Sequence, residues 1–270
     1  MIKITSKDNL TLKEYRKLCG SRKFRKETEK FTLEGVRLIC DCMKSGGDII
    51  DLLVTEDGIT RLGADFEPLS KCAKRTLLLT DALAASIAQT DSPQGVFAVC
   101  GGSIVKTELP QSFENGALML CSLQDPGNVG TILRSAEAFG LSAVIMTADC
   151  PDAASPKVLR ASMGAAIRIP IYCVADAKET IIALKSSKNA VFAAALGEKS
   201  VAVNTVSLKG AIVAIGNEGS GLSDDVADAC TKRVILPISE NSESLNAAMA
   251  ATVFAWELCR AKAGEVAQNG

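Results

Sequence analysis

From residue 117 onward, six near-continuous apolar runs alternate with stretches of helical spacing: ALMLCSL, SAVIMT, IRIPIYC, NAVFAAAL, GAIVAIG and RVILPI. A strand that is apolar at every position, rather than at every second one, needs cover on both faces. Intervening helices supply that cover, so the pattern predicts an α/β domain built on a parallel sheet. The pattern closes on a long Ala-rich helix, SLNAAMAATVFAWELCRAKA.

A smaller α/β unit precedes it. GVRLICDCMKSG (residues 35–46) has helical spacing and a Gly stop, and IIDLLVT (49–55) reads as a strand. TLLLT, a short helix DALAASIA and the strand-like GVFAVC follow. GGSIVKTELPQSFENG (101–116) is rich in Gly, Pro and polar residues and reads as a linker. The expected division is therefore a domain over 1–104, a linker over 105–116 and a second domain over 117–270. A chain of 270 residues is long enough for two such cores.

The composition sets limits on the chemistry. There is no histidine in the chain, which excludes Ser-His-Asp and Cys-His catalysis, most catalytic zinc sites and the usual general base near neutral pH. Ten cysteines are scattered inside apolar runs, and the Cys40/Cys42 pair has no second pair at zinc-ligand spacing. They are expected to be buried free thiols, and no metal site is expected. No apolar run reaches the roughly 18 residues that span a bilayer. The N-terminal MIKITSKDNLTLKEYRK lacks the apolar core of a signal peptide, and the expected location is cytoplasmic.

Net charge is near zero but unevenly placed. Lys3, Lys7, Lys13, Arg16, Lys17, Arg22, Lys23, Arg25, Lys26 and Lys30 face only Asp8, Glu14, Glu27 and Glu29. Such a run is either a solvated helical face or a phosphate-contacting arm.

Three segments of the second half place turn residues after an apolar run: LQDPGNVGTILRSAEAFG (123–140), IGNEGSGLS (215–223) and LPISENSESLNAAMAA (236–251). In the first, DPGN reads as a turn with Asn128 at the start of a helix, and Arg134 is expected about two turns on, on nearly the same face. In the second, three glycines surround Glu218. No Gly-Lys-Ser/Thr follows, so it is not a P-loop, and it lacks the GxGxxG spacing of a dinucleotide fold. The third offers Ser244 and Asn246 at the start of the last helix, where capping alone would favour them.

In this order and at these spacings, the three segments resemble the signature of the SpoU (TrmH-like) ribose 2′-O-methyltransferases of the SPOUT superfamily. The resemblance implies a SPOUT domain with a C-terminal trefoil knot, a feature no general rule of topology predicts. It implies S-adenosylmethionine as cofactor and a catalytic set of Asn128, Arg134, Glu218, Ser244 and Asn246. The cofactor would lie against Ile215, Gly216 and Gly219, against Leu236, Ile238 and Leu245, and against Leu196 and Gly197 of AALGEK (194–199). Arg134 would activate the ribose hydroxyl, or clamp a phosphate and stabilise developing alkoxide. RASMGA (160–165) also fits the family pattern.

FTLEGVRLI (31–39) and SPQGVFAV (92–99) resemble the ends of the ribosomal-protein-like substrate-binding domain found in many of these enzymes. That adds Glu34 and Arg37 as RNA contacts beside Arg22, Lys23, Arg25 and Lys26 of the basic arm. The implied partner is structured RNA, with 23S ribosomal RNA favoured over tRNA because minimal tRNA enzymes lack the extra domain. A resistance enzyme acting on ribosomal RNA and a non-catalytic RNA-binding protein stay open as alternatives. Family members pair through the catalytic domain, and the apolar last helix with Trp256 fits a homodimer interface.

Overall fold

The computed structural model describes residues 1–197, 199–239, 241 and 244–266. The chain divides into two compact units, Met1–Ile104 with Asp152–Ile167, and Val105–Pro151 with Arg168–Gly270. No helix among the described residues is long and apolar enough to cross a membrane.

The first unit holds a five-stranded mixed sheet. Its strands are β1 (Ile2–Lys3), β2 (Lys30–Glu34), β3 (Asp48–Val54), β4 (Arg75–Leu78) and β5 (Val96–Gly101), in the order β1-β4-β3-β5-β2. β3 pairs parallel with β4 and antiparallel with β5, and β2 pairs antiparallel with β5. Helix Leu10–Gly20 starts where the Asn9 side chain accepts the Thr11 N–H (2.9 Å). It buries Leu12, Tyr15 and Leu18 along one face, and Tyr15 meets Phe97 edge-on with ring centroids 5.9 Å apart.

Residues 152–167 belong to this first unit, although the sequence pattern assigned them to the second domain. Arg25 holds Asp152 at 2.7 Å, and the two side chains are only 6% and 14% exposed. The same guanidinium donates to the carbonyls of Leu18 and Cys19. Hydrophobic period reports which face of a segment is buried; it does not report which unit buries it.

The second unit holds an eight-stranded sheet of β6 (Val105–Lys106), β7 (Ala117–Leu120), β8 (Ala143–Thr147), β9 (Ile171–Val174), β10 (Val191–Ala194), β11 (Val201–Ala202), β12 (Ile212–Ile215) and β13 (Lys232–Ile235). Its order is β11-β13-β10-β12-β7-β8-β9-β6, and every pairing is parallel. All residues of β7, β8 and β12 are buried, as uninterrupted apolar runs require. Two details differ from expectation. Part of the presumed linker forms β6 on the sheet edge, and the IR of IRIP ends helix Ala165–Arg168, with β9 starting only after Pro170.

Helix Pro126–Ala138 packs beside the last helix, Ala247–Val266, with Ser135 Oγ and Thr252 Oγ1 2.8 Å apart. Ala248, Ala251, Phe254, Ala255 and Leu258 of the last helix are buried, while Met249, Val253 and Trp256 stay 55%, 41% and 50% exposed. The ten cysteines are free; Cys72 and Cys173 are exposed, contrary to the expectation of burial throughout.

Candidate active site

β13, β10, β12 and β7 are parallel neighbours, so their C-terminal ends open on one edge of the sheet. The segments after them are those carrying Leu236 and Ile238, Leu196 and Gly197, Gly216 to Gly219, and Gln124 to Asn128. Loops at that edge are where open α/β sheets bind ligands.

At this edge Glu218 gathers the chain. One carboxylate oxygen accepts the Asp125 N–H (3.1 Å) and the Asn128 side-chain amide (3.0 Å), and the other accepts the Gln124 N–H (3.0 Å). Burial pulls the Glu218 carboxyl upward, but the Asn128 amide and the backbone N–H groups outweigh it and hold it below the usual carboxylate value. Asn128 in turn accepts from the Asn246 amide (3.1 Å). Asn246 spends its own Oδ1 on the Ala248 and Met249 N–H groups at 2.9 and 3.2 Å, capping the last helix. A relay of amides thus ties the last helix, helix Pro126–Ala138 and the glycine loop into one constellation. It lines an open depression of about 540 Å³ with Gln124, Asp125, Asn217 and Gly219.

Local sequence explains the placement. Asp125, not Asn128, is the N-cap: its side chain accepts the Gly127 N–H (2.7 Å). Pro126 at the first helical position makes DPGN a helix start rather than a reverse turn. Asn128 is left in the first turn with its amide free to cross to the loop. Within the loop, Asn217 accepts the Gly219 and Ser220 N–H groups (2.9 and 3.1 Å) and donates to the Ser122 carbonyl (2.8 Å). Sequence reasoning passed over Gln124, Asp125 and Asn217. The Asn-x-Gly spacing of NEG carries the signal for the last, since an Asn side chain closes such turns.

Arg134 is exposed on helix Pro126–Ala138 and has no hydrogen-bond or ion-pair partner among the described residues. Six residues advance a helix by about 600°, so Arg134 lies roughly 120° around from Asn128 instead of on the same face. Ser244 is exposed, two residues before Asn246, and lies outside the relay.

The residues present fit S-adenosylmethionine. Leu196, Ile238 and Leu245 are 74%, 41% and 42% exposed, leaving aliphatic side chains uncovered where a purine face needs them. Leu236 is half-buried and Ile215 is buried. The Arg233 guanidinium donates to the Leu196 carbonyl (3.2 Å), and a Cβ on Gly197 would come 3.0 Å from that guanidinium. Gly216 is required by its own loop. A Cβ there would lie 2.2 Å from the backbone of Gly221 and Leu222, so any larger residue disturbs the loop itself. Gly219 has open space, with only Asn217 Oδ1 at 3.5 Å.

In the first unit, Arg22, Lys23 and Lys26 are exposed on the outer face of helix Arg22–Thr28. Arg25 is a correction: buried and paired with Asp152, it is closed to an RNA phosphate. Arg37 is 77% exposed and only 3.9 Å from Asp41, whereas Glu34 accepts the Gln89 N–H (2.8 Å) and the Thr90 hydroxyl (2.5 Å) and orders that loop.

A model of the SpoU rRNA Methylase family matches residues 115–256, and a model of an MRM3-like substrate binding domain matches residues 9–98. The 23S rRNA (guanosine(2553)-2′-O)-methyltransferase RlmP of Bacillus subtilis (strain 168) is 30% identical over 96% of this chain and 99% of its own length. The 23S rRNA (guanosine-2′-O-)-methyltransferase RlmB of Xanthomonas campestris is 33% identical over 54% of this chain and 59% of its own. Among solved structures, an AdoMet-bound rRNA methyltransferase from Sinorhizobium meliloti superposes with a TM-score of 0.84 at 26% identity, over 96% of this chain and 97% of that one. Sheet, edge site and likeness define an S-adenosylmethionine-dependent RNA 2′-O-methyltransferase. Within that class, the chain belongs to the SpoU rRNA methylase family.

Proposed function

We propose that this protein methylates a ribose 2′-hydroxyl of 23S ribosomal RNA. The observation that carries the reading is the Glu218–Asn128–Asn246 relay at the sheet edge whose strand-end loops also carry exposed Leu196 and Ile238. The full-length likeness to a 23S rRNA enzyme supports the choice of RNA.

When bound, S-adenosylmethionine supplies an already activated sulfonium methyl, so the chain needs only to align and to stabilise charge. In this reading, the strand-end loops hold the adenosine and the relay keeps the glycine loop closed. Arg134, with no internal partner among the described residues, is available to a phosphate or to the developing alkoxide. Ser244 and Asn246 stand at the reacting centre. Arg22, Lys23, Lys26 and Arg37 steer the RNA through its phosphates.

The second unit is assigned the trefoil knot. The return of β13 to the far side of β10, after β12 has entered between β10 and β7, supports it. The exposed stripe Met249, Val253 and Trp256, spaced four and three residues apart, supports a homodimer through the last helix. The working compartment is the cytoplasm, where ribosomal RNA is processed.

The test is transfer of a labelled methyl from S-adenosylmethionine to in vitro-transcribed 23S rRNA, with the product mapped by resistance of the modified ribose to alkali. Methylation of one ribose is the expected result, and label on a base or on no RNA would defeat the proposal.

A further inference from the structure

The first unit contains a cavity of about 300 Å³ that the methyl-transfer site does not use. Its walls come from the start of helix Val36–Lys44, from the loop before β5, and from the inserted segment Asp152–Ile167. Leu38, Leu159 and Met163 form an apolar lining, and Met163 is 39% exposed at an unfavourable backbone angle of φ 50°. An exposed thioether held in the left-handed region is costly for a non-glycine residue, and such strain gathers at ligand clamps.

The nitrogen-bearing side chains of this cavity, Arg37, Gln94 and Arg160, offer donors, beside the Thr90 and Ser92 hydroxyls and the Glu34 carboxylate. Arg160 Nη1 is buried with no hydrogen-bond partner among the described residues. A buried N–H left unpaired is costly, so the position invites an acceptor from outside. Gln94 spends its Oε1 on the Val36 N–H (2.8 Å), so its amide N–H groups are what it can offer a ligand. The Glu34 carboxylate is committed to Gln89 and Thr90. Arg37 stands at the rim, 77% exposed.

We infer that this cavity takes one unstacked, carbonyl-bearing base, guanine or uracil, of the RNA, with Arg160 donating to its carbonyl edge and Arg37 meeting its phosphate. The inference rests on the proposed RNA-methyltransferase function. Apolar side chains cover the ring faces, donors answer an acceptor edge, and a cation sits where the backbone leaves. Proteins read RNA sequence mainly from bases splayed out in this way, and Arg is the usual reader of guanine O6 and N7. Adenine and cytosine present an amino group where Arg160 offers a donor, so they fit it less well.

The experiment uses the full-length protein and in vitro-transcribed 23S rRNA, unmodified or carrying 4-thiouridine. Arg160→Gln is expected to weaken RNA binding about tenfold or more, the worth of a good base contact, with S-adenosylmethionine affinity within about twofold of wild type. The KM for RNA rises while kcat at saturating RNA holds. Met163→Glu, which puts a carboxylate at the mouth of the cavity, weakens RNA binding in the same way and guards against a folding defect in the first variant. Photo-crosslinks from 4-thiouridine fall within residues 156–167. If both variants melt like wild type and bind RNA within twofold of it, the cavity is not a base site. If wild type itself neither binds nor methylates the transcript, the proposed function fails, and the inference with it.

Discussion

Asn128→Asp puts a carboxylate oxygen where an amide now donates to Glu218 across 3.0 Å. Two unit charges at that separation repel by about 1.4 kcal/mol in bulk water and about 5.5 kcal/mol at an effective dielectric of 20. The site is open, so the lower part of that range applies, with the lost charge-assisted hydrogen bond, about 1.5–3 kcal/mol, added to it. A total of about 3 kcal/mol against the closed loop raises the apparent dissociation constant for S-adenosylmethionine roughly a hundredfold near pH 7.5.

The pH dependence separates this cause from general damage. In wild type the Glu218 carboxyl titrates below its unfolded value. Loop closure is therefore fully supported above about pH 4.3 and lost as pH falls through the folded value. In Asn128→Asp the two carboxylates share a proton, which raises the pair's folded titration above the unfolded one. Their support is present at low pH and lost as pH rises through that raised value. Titration calorimetry between about pH 5 and 8 should show affinity improving on acidification in the variant alone. A dissociation constant within about threefold of wild type near pH 7.5, or one that worsens on acidification, would refute the relay.

Arg134→Ala should lower the rate of methyl transfer by about two to four powers of ten while S-adenosylmethionine binds within about threefold of wild type; near-normal turnover at saturating RNA excludes the catalytic role. Gly216→Ala should lower the melting temperature, because its Cβ meets the Gly221 and Leu222 backbone at 2.2 Å, whereas Gly219→Val should melt like wild type and fail to bind the cofactor in calorimetry. Arg25→Met strands the mostly buried Asp152 carboxylate and should cost about 3 kcal/mol in denaturant unfolding; RNA affinity lost without stability would restore Arg25 to the arm. Val253→Asp with Trp256→Asp should sediment as a monomer, and a dimer persisting at micromolar concentration removes that stripe from the interface.

The parallel sheet was legible because its strands are apolar at every position, and the site loops because Gly, Asn and Pro punctuate strand ends. What was not legible has a common physical reason. Pro126 settles the cap on Asp125 locally, but the Glu218 carboxylate that draws the Asn128 amide across to the loop lies ninety residues away. Arg25 sits in a run of cations indistinguishable from its neighbours. Its partner Asp152 is 127 positions on, inside a segment whose apolar spacing says nothing about which unit it joins. Gly216 and Gly219 read alike in sequence, yet one is crowded by its own loop and the other faces open space. β6, two residues long, is too short to carry any period.

Asn246 reaches Asn128 across 118 positions, and that separation sets an order in time. A growing chain that has reached residue 245 already has every strand of the second sheet, but it lacks the amide that steadies Asn128 and caps the last helix. Contacts so distant in sequence form late, after a large loop has closed. The relay at the sheet edge is therefore completed last, by the final helix as it docks.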